Sequence, residues 1–160
     1  MNIIAEDLGY LTDSVIDLVK STGFPGMKVL QFAFDSREES DYLPHNYQKN
    51  CVVYTGTHDN DTIRGWYEVL NSEDKELSIQ YMNNRNTPPE EIHWDFIRLA
   101  MASVADLCVI PLQDYLGIGT KGRINTPSTL GDNWKWRMPK DVLDDELAEK
   151  ICRMTKLYGR

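Results

Sequence analysis

Positive charge is scarce in this sequence. Seventeen Lys and Arg stand against 25 Asp and Glu, a formal net charge of -8, with an isoelectric point near 4.8. Association with nucleic acid is driven by Lys and Arg releasing counterions from phosphate, so the balance argues against a nucleic-acid partner. Long apolar runs are missing as well. Nothing approaches the roughly 18 consecutive apolar residues of a membrane span, and Met1 to Tyr10 carries two acids and no basic n-region of a signal peptide. The expectation is a cytoplasmic protein with no membrane partner. Cysteine is sparse: Cys51, Cys108 and Cys152 lie far apart in apolar surroundings, which excludes a disulfide framework and zinc-ligand spacing and predicts buried, reduced thiols. Internal repeats, low-complexity tracts and an interdomain linker are also absent. A chain of 160 residues, 41% of them hydrophobic, buries one core and reads as one domain over residues 1–160.

What is present is an alternation of short apolar runs and helical periodicity. Asn2 to Ala5 reads as a strand, and Leu11, Val15 and Leu18 then recur at helical spacing, with Thr12 as N-cap and Gly23 as stop. Met27 to Phe34 predicts a second strand, followed by a polar loop from Asp35 to Asn50; Cys51 to Thr55 predicts a third. Thr62 to Leu70 is read as helix, and Pro88-Pro89-Glu90-Glu91 opens another whose Ile92, Phe96, Leu99 and Ser103 share a face. Leu107 to Leu112 is a fourth strand, apolar throughout as suits parallel strands covered on both faces. After a long aromatic loop, a last helix begins near Asp144-Asp145-Glu146 and buries Leu147, Ile151, Met154 and Tyr158. Four strands alternating with helices indicate a parallel α/β sheet, either open and doubly wound or part of a closed barrel. Polar residues decide for the barrel: Glu6-Asp7, His58 to Asp61 and Gln113-Asp114 each follow a strand, and barrel enzymes build their catalytic face from strand ends.

Four segments carry chemistry. Ala5 to Gly9 (A-E-D-L-G) sets two carboxylates where a buried strand meets a helix; a Glu there serves as general acid only if apolar walls or a second carboxylate raise its pKa, and the same position suits a helix cap. Tyr54 to Thr62 (Y-T-G-T-H-D-N-D-T) packs one imidazole, two carboxylates, one amide and several hydroxyls behind an apolar strand. Capping of the next helix by Thr57 or Asp61 accounts for one or two of these. The i, i+4 His pair of zinc helices is missing, so recognition of hydroxyls by His58 and Asp59 is preferred to metal binding. Gly117 to Gly122 matches G-x-G-x-x-G, but Pro111 ends the strand early and the glycines run into R-I-N-T-P rather than a helix, which leaves a mobile loop over a groove instead of a dinucleotide site. Arg123 to Pro139 sets Trp134, Trp136 and Arg137 near Asn125 and Thr126; aromatic faces beside amides and hydroxyls suit sugars, and they also suit anchoring a loop to the core.

Six blocks, I-I-A-E-D-L-G, Y-L-P-H-N-Y, Y-T-G-T-H-D-N-D-T, P-L-Q-D-Y-L-G, R-I-N-T-P and N-W-K-W-R, occur here in one order across nearly the whole chain. In that order they resemble the 4-α-glucanotransferases of the amylomaltase and disproportionating-enzyme type, within the α-amylase superfamily. The resemblance implies a (β/α)8 TIM-type barrel of which this chain is the C-terminal part, four consecutive βα units forming the second half, with the N-terminal half a necessary partner. It also implies that no cofactor or metal is required and that the substrate is an α-1,4-glucan or maltooligosaccharide, transferred by a retaining double displacement. By position, Glu6 resembles the family's general acid/base and Asp59 its transition-state carboxylate; His58 would bind the same sugar, and Asp35, Asn125 and His45 would line glucan subsites. The family's nucleophilic aspartate lies in an R-x-D block on an earlier strand, and no such block occurs here. A related retaining α-glycosidase, or a truncated protein that binds glucan or a partner without turnover, are the alternatives. Four strands leave two sheet edges and an apolar face uncovered. The 160-residue chain by itself is therefore expected to form a homodimer or larger assembly and to show no glucan transfer until a fragment carrying the missing strands is added; light scattering and a maltooligosaccharide assay check both points.

Overall fold

A computed structural model describes residues 3–160. The helices among them are α1 (Asp13–Thr22), α2 (Ile63–Val69), α3 (Ser72–Met82), α4 (Ile92–Ala102), α5 (Leu112–Tyr115) and α6 (Asp145–Leu157). Three strands, β1 (Gly26–Val29), β2 (Cys51–Tyr54) and β3 (Leu107–Val109), form one parallel sheet in the order β1-β2-β3. In register, Met27 pairs with Val52 and Val52 with Leu107; Val29 pairs with Tyr54 and Tyr54 with Val109. All three strands therefore end on the same side.

The expected first strand, Asn2 to Ala5, is not formed among the described residues. Of its residues, Asn2 lies outside the described ones, and Ile3 to Ala5 run as irregular chain beside β1. One backbone bond, from Ala5 N–H to the Pro25 carbonyl at 2.9 Å, begins a pairing. The next edge amide, Met27 N–H, donates instead to the Asp7 carboxylate at 2.6 Å, so a side chain stops the ladder. Gly26 belongs to the same contact, since a Cβ there would run into the Asp7 carboxylate. Two further expectations shift. Met27 to Phe34 is extended only as far as Val29, after which Leu30–Phe32 tightens into a 3-10 turn. Strands β1 and β2 are then joined without an α-helix, through irregular chain and a second such turn at Pro44–Asn46.

Alternation along β2 explains the core. Cys51 and Val53 point to the helical side, into a cluster with Leu30, Phe34, Tyr47, Ile63, Ile92 and Phe96. Helix α4 is buried on two stripes rather than one. Ile92, Phe96 and Ala100, four apart, face the sheet, and Trp94, Ile97 and Met101 face α6 through Met154, with Leu147, Ile151 and Tyr158 alongside. The α6 stripe is the one its periodicity predicts, and Asp144 caps the helix by accepting from Leu147 N–H at 2.8 Å. His93, also on α4, is buried, and desolvation lowers its pKa to about 4, which keeps the imidazole neutral. Helix α3 has no counterpart in the periodicity reading: its buried residues, Asp74 and Ser78, are polar, and Leu77, Tyr81 and Met82 pack only partly buried against the core. Its signal is in its ends: Asn71 accepts from Asp74 N–H, and Asn83 closes it in the left-handed conformation.

The opposite sheet face carries Met27, Val29, Val52, Tyr54, Leu107 and Val109. Leu107 and Val109 are 47% and 38% exposed, so β3 is not covered on both faces as its apolar run suggests. Helix α1 buries no residue, and its N-cap Thr12 bonds Ser14 rather than a helix amide. Of the cysteines, Cys51 is buried, Cys108 partly so, and Cys152 is exposed on α6, because it falls on the polar side of that helix. Phe96 is fully buried and meets Phe34, Trp66 and Tyr67 at ring separations of 5.6, 5.3 and 6.0 Å. Phe96→Ala is expected to cost about 3–5 kcal/mol, read from the urea midpoint followed by circular dichroism.

Candidate active site

The site is assembled where the strands end. Beyond Tyr54 the ladder stops, and residues 55–62 must satisfy their backbone by other means. Thr55 is fully buried and donates its hydroxyl to Asp114 Oδ2 at 2.5 Å. Ile63 N–H, at the start of α2, donates to the other oxygen, Oδ1, at 2.8 Å. Inside the loop, Asn60 Oδ1 accepts from the Thr57 amide and hydroxyl, and Thr62 caps α2 by accepting from Gly65 N–H at 3.1 Å. Gln31 donates to the Asp61 carbonyl at 2.7 Å, and Thr120 donates to the Asp61 carboxylate at 2.8 Å.

These bonds sort the polar density of the segment. Thr55, Thr57, Asn60, Asp61 and Thr62 build the loop, more than the one or two capping residues expected, and the cap is Thr62 rather than Thr57 or Asp61. His58 and Asp59 remain, both about half exposed. His58 Nε2 lies 3.2 Å from Asp59 Oδ1, and Asn125 Nδ2 donates to the same oxygen at 2.6 Å. The Asn125 amide donates to the His58 carbonyl at 3.1 Å. Arg123 donates to the Asp59 carbonyl at 2.8 Å and to the Asn125 carbonyl at 2.9 Å. Trp134, 57% exposed, lays its ring 5.1 Å from that of His58 at 37°. An imidazole, a carboxylate and an amide thus converge beside an open aromatic face.

Glu6 arrives from the segment next to β1. It borders a cleft of about 390 Å³ together with Tyr54, Thr57, His58 and Asp59, and a neighbouring hollow with Phe32, Tyr42, Asp59 and Asn60. Glu6, His58, Asp59 and Asn125 are therefore brought together. Asp35 and His45 stand elsewhere. Asp35 is engaged by Arg37, whose guanidinium bonds lower its pKa to about 2; His45 Nδ1 is 2.9 Å from the Tyr81 hydroxyl on α3. Neither borders the cleft of Glu6 and Asp59. The glycine segment 117–122 is a brace: a 3-10 turn at Thr120–Gly122 sets Thr120 against Asp61, and Gln113 donates to the Gly122 carbonyl. Among the described residues, no group of three or more His, Cys, Asp or Glu is placed to hold a metal ion.

The profile of the 4-alpha-glucanotransferase family matches residues 1–143. The chain belongs to that family. A 4-alpha-glucanotransferase of Clostridium butyricum is 53% identical over all of this chain and 33% of its own length. The chloroplastic/amyloplastic 4-alpha-glucanotransferase of Solanum tuberosum is 49% identical, over all of this chain and 28% of its own length. Among solved structures, the amylomaltase of Streptococcus agalactiae in complex with acarbose superposes with a TM-score of 0.92 at 39% identity, covering 98% of this chain and 32% of that one. The chain thus spans about a third of the length of the relatives it matches, and its mixed α/β structure is a piece of the amylomaltase fold. No helix among the described residues is long and apolar enough to cross a membrane.

Within this 4-alpha-glucanotransferase piece, two features escaped reading from sequence. Trp134 was one of two tryptophans open to an anchoring role, and only its position against His58 distinguishes it. Asp114 was visible only as an acid after a strand. It is 1% exposed, and desolvation raises its pKa to about 6 against the opposing bonds from Thr55 and Ile63. A folded-state pKa above the unfolded value means that the folded state binds more protons, so the associated stability is present below about pH 4 and lost as pH rises through 6. Asp114→Asn removes this loss. Relative to wild type, the variant is expected to gain on the order of 3 kcal/mol between pH 4 and 7, read as the difference between paired urea titrations.

Proposed function

We infer that the chain is the second half of a (β/α)8 barrel and supplies part of the active site of a retaining 4-α-glucanotransferase acting on α-1,4-glucans. The observation that carries this reading is the convergence of Glu6, His58 and Asp59 on one cleft at the carboxyl ends of parallel strands, where barrel enzymes hold their chemistry. Family membership and the acarbose complex of the Streptococcus agalactiae relative support the glucan as substrate class. The partly exposed apolar face of Tyr54, Leu107 and Val109 supports closure by further strands, from the remaining two thirds of a longer protein or, for the isolated chain, from a second copy.

In the mechanism, Glu6 protonates the glycosidic oxygen as the bond breaks and then deprotonates the acceptor hydroxyl, as one residue does in both halves of a retaining displacement. The nucleophile that forms the glycosyl-enzyme comes from a segment outside this chain. Asp59 places negative charge beside the developing oxocarbenium ion. Its orientation is held by the Asn125 amide and by His58, so little reorganisation is needed at the moment of reaction. His58 and Asn125 bind sugar hydroxyls, and the Trp134 face packs against a pyranose ring. Asp35 and His45 fit subsites further along the glucan, away from the cleaved bond.

The test is made in the complete enzyme. Glu6→Gln removes the proton but little volume, and is expected to lower transfer between maltooligosaccharides by about 10²–10⁴-fold while acarbose binding persists. An activated leaving group, which needs no acid, restores the first step. Asp59→Asn is expected to lower kcat by about 10²–10³-fold with a much smaller change in KM. Near-wild-type turnover in the Gln variant would overturn the assignment of Glu6, and loss of activity on chelation would overturn the metal-free view of His58 and Asp59.

A further inference from the structure

The loop that presents His58 and Asp59 has no sheet or helix of its own to hold it, yet its two ends converge on one buried side chain. Thr55, its first residue after β2, and Ile63, the first residue of α2, bond the two oxygens of Asp114 at 2.5 and 2.8 Å. Asp114 is carried on α5 (Leu112–Tyr115), downstream of β3, so the contact links the ends of β2 and β3 directly. Among the described residues, no other side chain bonds both ends of the loop. Other restraints act between those ends: Gln31 and Thr120 on Asp61, Arg123 on the Asp59 carbonyl, and Asn125 on the His58 carbonyl and the Asp59 carboxylate. A cavity of about 80 Å³ lies between the loop and α5, bordered by His58, Asp61, Asp114 and Arg123. There is room for the loop to shift if the clamp loosens.

A buried carboxylate of this kind is a poor way to stabilise a fold. Its charge is desolvated, its nearest acid, Asp61, opposes ionisation further, and a neutral residue of the same shape would serve the core better. What a carboxylate offers that a neutral amide does not is two equivalent acceptors set about a fixed plane. Here one takes a hydroxyl and the other a backbone amide. An asparagine keeps one acceptor; its NH2 meets the Thr55 hydroxyl as a donor, so that hydroxyl must turn round to accept and the geometry that fixes the end of β2 changes. We propose that Asp114 is a positioning residue of the site, its two oxygens clamping Thr55 and Ile63 so that the intervening loop holds His58 and Asp59 in register with the bound sugar. This rests on the glucanotransferase reading of His58 and Asp59, and it adds a residue that touches neither substrate nor reacting atoms.

Two variants test it in the complete enzyme. Asp114→Asn changes one acceptor into a donor, and Thr55→Val removes the hydroxyl while leaving Asp114 in place. Each is expected to lower kcat per folded molecule about tenfold or more, because misplacement of a catalytic group by a fraction of an ångström is costly, with KM within about threefold of wild type. In both variants the loss falls on kcat rather than KM among folded molecules, an outcome that a purely structural role does not produce. The His58 imidazole resonance is expected to move in both variants and that of His45 to stay, since His45 contacts Tyr81 rather than the loop. A kcat unchanged in either variant, or an unmoved His58 resonance, overturns the proposal. Should Asp114→Asn fail to fold, Thr55→Val decides alone. If the wild-type enzyme transfers no glucan, the proposed function has failed, and the clamp is then judged by the His58 resonance by itself.

Discussion

A parallel sheet sends all its strands out on one side, and everything at this site depends on β2 being buried between its two neighbours. Cys51, Val52 and Val53 are each within 4% of full burial, so the strand cannot shift register without exposing apolar area. Once it is fixed, the chain beyond Tyr54 leaves the ladder in a place where water does not reach Thr55. Its polar groups must find partners there or remain unpaired at a cost of roughly 1–3 kcal/mol each. The side chains of Asp114, Asn60, Thr62 and Gln31 meet this demand. These bonds set the path of the loop.

The path of the loop in turn separates two classes of polar residue that look alike in the sequence. Those whose bonds close inward, Thr57, Asn60, Asp61 and Thr62, hold the backbone. Those that point outward, His58 and Asp59, are left with one partner apiece from the downstream loop: the Trp134 ring for the imidazole and the Asn125 amide for the carboxylate. The same downstream segment is itself anchored on the site, since Asn125 and Arg123 bond the carbonyls of His58 and Asp59. Each side orders the other, and the cleft at the strand ends stays open to Glu6 from the far edge of the sheet.

That edge shows how local chemistry limits the sheet. Asp7 occupies the Met27 amide, and its carboxylate fills the space that Gly26 leaves without a Cβ. Pairing of residues 3–5 with β1 therefore ends after one bond. Glu6, next in sequence to this anchor, is held at the mouth of the cleft by its neighbour's bond rather than by a bond of its own. The acid/base role proposed for Glu6 and the structural role of Asp7 explain why two adjacent carboxylates follow the same apolar run.

By itself the sequence determined the elements whose cause is local. Apolar runs located β1, β2 and β3; the 3.6-residue period located α4 and α6; and the density of polar side chains after Tyr54, with the six ordered blocks, located the chemistry and the family. Signals that depend on distant residues were out of reach. Helix α3 buries two polar residues, and its Leu77, Tyr81 and Met82 reach the core only partly buried. Apolarity overstates the strand character of residues 3–5 and of Met27 to Phe34, because Asp7 and a 3-10 turn set where extended pairing ends. Only the tertiary structure decided that Asn125 meets Asp59, that Asp35 is taken by Arg37 and His45 by Tyr81 instead of bordering the cleft, and that Asp114 clamps Thr55 and Ile63. Hydrogen bonds between residues some 60 positions apart follow from which strand ends lie side by side, and no local propensity encodes that.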